Sequence, residues 1–173
     1  MRGRAKVAIL MGSKSDLPAM AEAVRVLRRF EVPHVVEVTS AHRSPERTVE
    51  IVRRCEADGV AVFIAAAGMA AHLAGVVAAH TTRPVLGVPM EGRLAGGLDA
   101  LLSTVQMPRG IPVGTLAVGR SGAANAALLA VSILALGDER LAARLADERR
   151  AMAADVERAA EAARGELGNL LDG

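Results

Sequence analysis

The feature that most constrains the fold is a repeated alternation of short apolar runs with longer segments of helical periodicity. One run, Val60–Ala66, is apolar throughout, as is typical of a strand covered on both faces of a sheet. Alternating strands and helices predict an α/β fold with a parallel sheet between helical layers. The predicted strands are Lys6–Met11, Val35–Thr39, Val60–Ala66, Pro84–Pro89 and Thr115–Val118, and the predicted helices are Leu17–Phe30, Pro45–Ala57, Ala70–Ala79, Gly97–Val105, Ala123–Leu136 and Glu139–Arg164.

Chain length and apolar content favour one domain without a membrane span. The 173 residues are typical of a single domain, predicted here over 1–173. Although 51% of the residues are hydrophobic, no run approaches the roughly 18 apolar residues of a membrane helix. The basic N-terminus precedes a short strand-like run and does not resemble a signal peptide. We therefore expect a cytoplasmic protein.

Charge, aromatic content and cysteine content exclude several other classes. Because the net charge is only +2 and both Trp and Tyr are absent, we do not expect a base-stacking platform for nucleic acid. The single cysteine, Cys55, allows no internal disulfide and lies in an apolar stripe, which indicates a core thiol. The four histidines lack metal-ligand spacing, so we expect no metal site.

The C-terminal segment is predicted to form one long amphipathic helix over 138–168. A narrow apolar stripe runs along an otherwise charged face, and such a stripe needs a packing partner. We expect that partner to be a neighbouring subunit. The stripe consists of Leu141, Leu145, Met152, Val156 and Ala160.

The loops that follow the strands are the candidate ligand sites, because open parallel sheets bind ligands at the carboxyl ends of their strands. Gly12–Asp16 follows the first strand and supplies two hydroxyls, a lysine and the anion-attracting start of a helix. This loop matches neither the Walker A nor the dinucleotide-binding spacing. Ser40–Pro45 follows the second strand. In this loop His42 is suited to proton transfer near neutral pH, and the planar guanidinium of Arg43 is suited to binding phosphate.

The third loop, Ala65–Gly75, consists mainly of very small side chains that let a ligand approach the backbone. His72 lies within it and has two interpretations. It is either a second acid–base group or a residue at the helix start that is tied to backbone, and we prefer the second interpretation.

Together these loops resemble the N5-carboxyaminoimidazole ribonucleotide mutase family of purine biosynthesis. Each motif alone is weak evidence for the family, but the five together, in this order between about residues 5 and 160, are highly specific. The motifs are Gly-Ser-Lys-Ser-Asp at 12–16, Ser-Ala-His-Arg at 40–43, Ala67–Gly75, Leu102–Val113 and Gly122–Ala127.

The resemblance implies a flavodoxin-like three-layer α/β/α sandwich and a homo-octamer whose C-terminal helical arms reach neighbouring subunits. It implies an isomerase of IMP biosynthesis that moves a carboxylate from the exocyclic nitrogen of its ribonucleotide substrate to a ring carbon. Neither a metal nor an organic cofactor is implied.

The resemblance also assigns roles to individual positions. His42 is the implied general acid and base. The implied substrate-binding residues are Ser13, Ser15, Ser40 and Arg43 around the phosphate and ribose, Asp16 at the ribose hydroxyls, and Gly68, Ala70, Ala71 and Leu73 in the carbon dioxide pocket. Ala41 is a further implied substrate-binding residue.

A departure from the family's sequence pattern and two alternative functions bear on this interpretation. Met69 stands where many family members have glycine. A sister class carboxylates aminoimidazole ribonucleotide directly, but its third loop typically carries Ser-Asn, whereas this chain has Ala-Ala-His-Leu at 70–73. The other alternative is a flavodoxin-like binding module without catalytic activity.

Overall fold

The computed structural model describes residues 4–171, apart from the side chains of residues 168 and 169. Residues 1–3 and 172–173 of the predicted domain lie outside the described residues. Within the described range the chain forms five strands and six α-helices. These are β1 (Val7–Met11), α1 (Leu17–Arg29), β2 (His34–Val38), α2 (Pro45–Ala57), β3 (Val62–Ala67), α3 (Leu73–Ala79), β4 (Val85–Pro89), α4 (Leu98–Val105), β5 (Gly114–Thr115), α5 (Gly119–Ala135) and α6 (Glu139–Leu171).

The strands form one parallel sheet in the order β2-β1-β3-β4-β5. This is the flavodoxin-like order, so the predicted fold class is confirmed. The register aligns the strand ends, because Met11 pairs with Val38 on one side and with Ala66 on the other. The loops after β1, β2 and β3 therefore begin at the same edge of the sheet.

The core lies on both faces of this sheet. On one face, Leu10 and Phe63 pack with Val52 of α2 and Val77 of α3 in a single buried cluster. Right-handed crossovers place α1 and α5 on the opposite face, and Gly122 of α5 approaches Val88 there. Three layers result.

Cys55 is buried and belongs to the first of these clusters. Burial raises the pKa of its thiol, which keeps the group neutral. The prediction of a core thiol is confirmed.

Three predicted boundaries were wrong. Strand β5 spans only Gly114–Thr115 rather than Thr115–Val118, and α3 begins at Leu73 rather than Ala70. Helix α5 begins at Gly119, so the predicted loop of residues 119–122 is the first turn of a helix. The reason is packing: a Cβ at Gly122 would lie 1.6 Å from the carbonyl oxygen of Ala117, an approach that only glycine allows.

The chain divides into two compact units, one ending at Leu134 and the other beginning at Ala135. In the second unit Asp138 caps α6, because its carboxylate accepts from the backbone N–H groups of Arg140 and Leu141 at 3.0 and 3.2 Å. The predicted helix is confirmed and extends to Leu171. Its packing on a neighbouring subunit stays a prediction, as does the single domain over 1–173. None of the helices in residues 4–171 has the length and apolar character needed to cross a membrane.

Candidate active site

The first loop closes on itself in a capping box just after β1. Ser13 is the N-cap of a short 3-10 turn, and its hydroxyl oxygen accepts from the Ser15 backbone N–H at 3.2 Å. In return the Asp16 carboxylate accepts from the Ser13 backbone N–H at 3.1 Å. The Ser15 hydroxyl lies 2.8 Å from the Ser13 hydroxyl. Three predicted site residues are thus joined in one polar cluster.

Asp16 is half-buried in this cluster, and its carboxyl has a raised pKa. Burial is the main cause, because it disfavours the charged form. Hydrogen bonds from the Ser13 backbone and the Ser15 side chain act in the opposite direction. A carboxylate held partly out of water, with acceptor capacity left over, is suited to binding a hydroxyl donor such as a ribose.

The second loop is a tight turn between β2 and α2. The Ser44 backbone N–H donates to the Ser40 carbonyl at 2.9 Å and closes the turn. The Ser40 hydroxyl oxygen accepts from the backbone N–H and the Nε–H of Arg43 at 3.2 and 3.4 Å. The side chains of His42 and Arg43 are exposed at the carboxyl edge of the sheet. This turn therefore presents an imidazole and a guanidinium side by side.

The third loop brings a second histidine to the first. His42 Nε2 lies 2.8 Å from His72 Nδ1, with the rings edge to face and their centroids 4.9 Å apart. Because a hydrogen bond between two ring nitrogens holds one proton, one ring donates and the other accepts. His72 is the N-cap of α3, yet its side chain makes no capping hydrogen bond. The preferred interpretation of His72 as a residue tied to backbone was therefore wrong.

The sequence contained one signal that pointed to this pair. His42 and His72 both follow strands at the carboxyl edge, and both strands flank β1 in the observed order. The order of strands is needed to see that their loops converge, and the local sequence around His72 does not contain it.

The small residues predicted to confine carbon dioxide differ in burial. Gly68 and Ala70 are accessible at the end of β3, whereas the side chains of Ala71 and Leu73 are buried. Leu73 belongs to the core cluster, and Ala41 of the second loop packs against the same cluster. The side chains of Ala41 and Leu73 thus pack in the core, so only the backbone of these two residues is left to contact a ligand.

Two further features lie away from these loops. A cleft of about 660 Å³ occupies the opposite end of the sheet, where it is lined by Glu56, His80 and Arg83 among others. The predicted site residues do not line it. Across residues 4–171, no three His, Cys, Asp or Glu side chains are grouped so as to hold a metal ion.

The fold and the site define a class, a flavodoxin-like α/β enzyme with anion-binding loops and a histidine pair at the carboxyl edge of its sheet. A sequence model described as AIR carboxylase matches residues 6–155 of the chain, and this range includes all three loops. The chain belongs to the AIR carboxylase family.

Individual relatives agree with this assignment. The chain is 54% identical over 152 residues to the N5-carboxyaminoimidazole ribonucleotide mutase of Escherichia coli strain K12, which covers 88% of this chain and 90% of that protein. It is 58% identical over 134 residues to the mutase of Pyrococcus abyssi, covering 78% and 76%. The crystal structure of Treponema denticola PurE superposes with a TM-score of 0.81 at 28% identity, covering 88% of this chain and 94% of that one.

Proposed function

We propose that this protein is an N5-carboxyaminoimidazole ribonucleotide mutase of purine biosynthesis. It interconverts N5-carboxyaminoimidazole ribonucleotide and 4-carboxy-5-aminoimidazole ribonucleotide on the route to IMP. The observation that carries the proposal is the pairing of His42 with His72 at 2.8 Å, in a chain 54% identical to a mutase over 88% of its length.

The binding roles follow from the two polar loops. Ser13, Ser15, Ser40 and Arg43 hold the phosphate and ribose region, and Arg43 provides two parallel donors for phosphate oxygens. Asp16 accepts from the ribose hydroxyls, a role supported by its half-buried carboxylate. The backbones of Ala41, Gly68, Ala70, Ala71 and Leu73 line the space for the reacting carboxyl group.

The chemistry needs two proton transfers, one to the exocyclic nitrogen and one from the ring carbon, and a single group can make both. His42 protonates the exocyclic nitrogen as its bond to the carboxyl carbon breaks and carbon dioxide leaves. The ring carbon then attacks the confined carbon dioxide, and His42 removes the proton from that carbon. Proton transfer by one positioned side chain contributes about 10²–10⁴-fold, and holding carbon dioxide close to the ring supplies much of the remainder.

His72 completes this arrangement from the third loop. Its Nδ1 holds the Nε2 edge of His42, which fixes the ring orientation. In this proposal His72 orients His42 rather than contacting the reacting atoms.

The isomerisation assay on wild type and His42→Asn tests the proposal. Wild type should convert the N5-carboxylated substrate without added metal and without loss of activity on chelation, whereas His42→Asn should convert it about 10²–10⁴-fold more slowly. Conversion of aminoimidazole ribonucleotide with bicarbonate at matching rates would instead establish the direct carboxylase. Conversion of neither substrate by the wild type would favour the binding module, and isomerase activity unchanged by His42→Asn would refute the role of His42.

The proposal also includes a homo-octamer in the cytoplasm. The exposed apolar side chains Met152 and Val156 on α6 support a neighbouring subunit as the packing partner. Light scattering tests the octamer, and a monomeric protein that retains full activity would contradict it.

A further inference from the structure

The turn that presents His42 rests on a pair of buried hydroxyls. Among the described residues, the buried polar side chains are Thr39, Thr48 and Thr104. Thr39 follows β2 and Thr48 lies in the first turn of α2, so the first two bracket the turn at residues 40–44. Their hydroxyl oxygens lie 2.8 Å apart. The pair is therefore placed directly beneath the turn.

The hydrogen bonds connect this pair to Ser44. The Thr48 hydroxyl donates to the Ser44 carbonyl at 3.2 Å, which leaves Thr39 to donate to Thr48. The Ser44 hydroxyl in turn donates to the Ser40 carbonyl at 3.2 Å and accepts from the Ser40 backbone N–H at 3.1 Å. Thr39 and Thr48 therefore hold the Ser44 carbonyl, and the Ser44 hydroxyl holds both backbone groups of Ser40.

The fold itself does not require the hydroxyls of Thr39 and Thr48. Valine has nearly the shape of threonine, and replacing both partners of a buried hydrogen bond by apolar groups of the same shape is close to neutral for stability. Replacing only one partner leaves a buried hydroxyl unsatisfied and costs stability. At 3.5 Å, the Ser44 hydroxyl is a poor replacement partner for Thr39.

We propose that Thr39 and Thr48 are positioning residues, which hold the turn at residues 40–44 so that His42 meets His72. The inference rests on the proposed function. Both threonines act through the turn rather than on the substrate. A misplacement of about 1 Å at a reacting group can cost on the order of 10²-fold in rate.

Isosteric variants separate positioning from stability. Thr48→Val should lower both the melting temperature and kcat/KM, the latter by at least about fivefold. The double variant Thr39→Val with Thr48→Val should regain the melting temperature but keep the low kcat/KM. Thr48→Ser keeps the hydroxyl and should restore activity. Thr104→Val is the matched control, because the Thr104 hydroxyl donates at 2.7 Å to the Ala100 carbonyl within its own helix.

Backbone amide exchange gives a readout that does not depend on the reaction. The amides of residues 40–44 should exchange about fivefold faster in Thr48→Val and in the double variant, the effect of losing about one hydrogen bond. Unchanged exchange, or a double variant with wild-type kcat/KM, would overturn the inference. An inactive wild type would instead refute the proposed function, while the exchange data still decide on positioning.

Discussion

Removing His72 from the histidine pair gives the sharpest test of the site. The pair is a single exposed hydrogen bond of 2.8 Å, and one such bond contributes about 1 kcal/mol net. This free energy corresponds to about fivefold in rate. His72→Leu should therefore lower kcat/KM for the mutase reaction about fivefold, whereas His42→Asn should lower it by about 10²–10⁴-fold.

Two comparison variants sharpen this prediction. His72→Asn places a polar atom near the position of Nδ1 and should retain most of the activity. His80→Leu changes another exposed histidine, at the far end of the same helix α3, and should leave kcat/KM unchanged.

A double-mutant cycle decides whether His72 works through His42. If it does, His72→Leu should cause no further loss in a His42→Asn background. The assay is steady-state isomerisation of the N5-carboxylated substrate by all four proteins. A further loss of about fivefold in the double variant, equal to the loss in the wild-type background, would refute the reasoning, because His72 would then act independently of His42.

Three other predictions concern the loops and their support. The raised pKa of Asp16 means that its contribution to stability is present below the ordinary value of 3.8 and is lost as pH rises through the higher folded value. In denaturant titrations, the unfolding free energy of Asp16→Asn should therefore increase relative to that of wild type as pH rises from below 3.8 through the higher folded pKa, and its KM should be raised. A difference that does not depend on pH would contradict this. Met69 has a φ of 57°, in the left-handed region, and a 74% exposed side chain. Because a Cβ is disfavoured in that region, thermal melts should show Met69→Gly more stable than Met69→Ala by roughly 1 kcal/mol. Gly122→Ala should destabilise by about 3 kcal/mol, because its Cβ would overlap the Ala117 carbonyl. Gly137→Ala, with nothing within 4 Å of the added Cβ, should melt close to wild type.

The sequence predicted most of the secondary structure because its apolar periodicity is strong. Four of the five strands differ from prediction by no more than two residues at either end, and the buried run of β3 was recognised from its continuous apolar character. The start of α5 was missed because Gly119–Gly122 looks like a loop locally. Its helical turn depends on contact with Ala117, which no local pattern contains.

The site, too, was predictable from local sequence only in part. The capping box of Ser13 and Asp16 and the turn from Ser40 to Ser44 are formed by residues close in sequence, so their chemistry was readable from the chain. Local sequence did not reveal that the side chains of Ala41 and Leu73 face the core, because a small or apolar residue in a loop suits a pocket as well as packing.

The sequence alone determined which loops carry the polar groups and that parallel strands bring them to one edge of the sheet. Only the tertiary structure decided that His72 meets His42. The two residues are 30 positions apart and follow strands that flank β1 from either side. Their contact therefore depends on strand order and register, which are fixed by packing across the whole sheet.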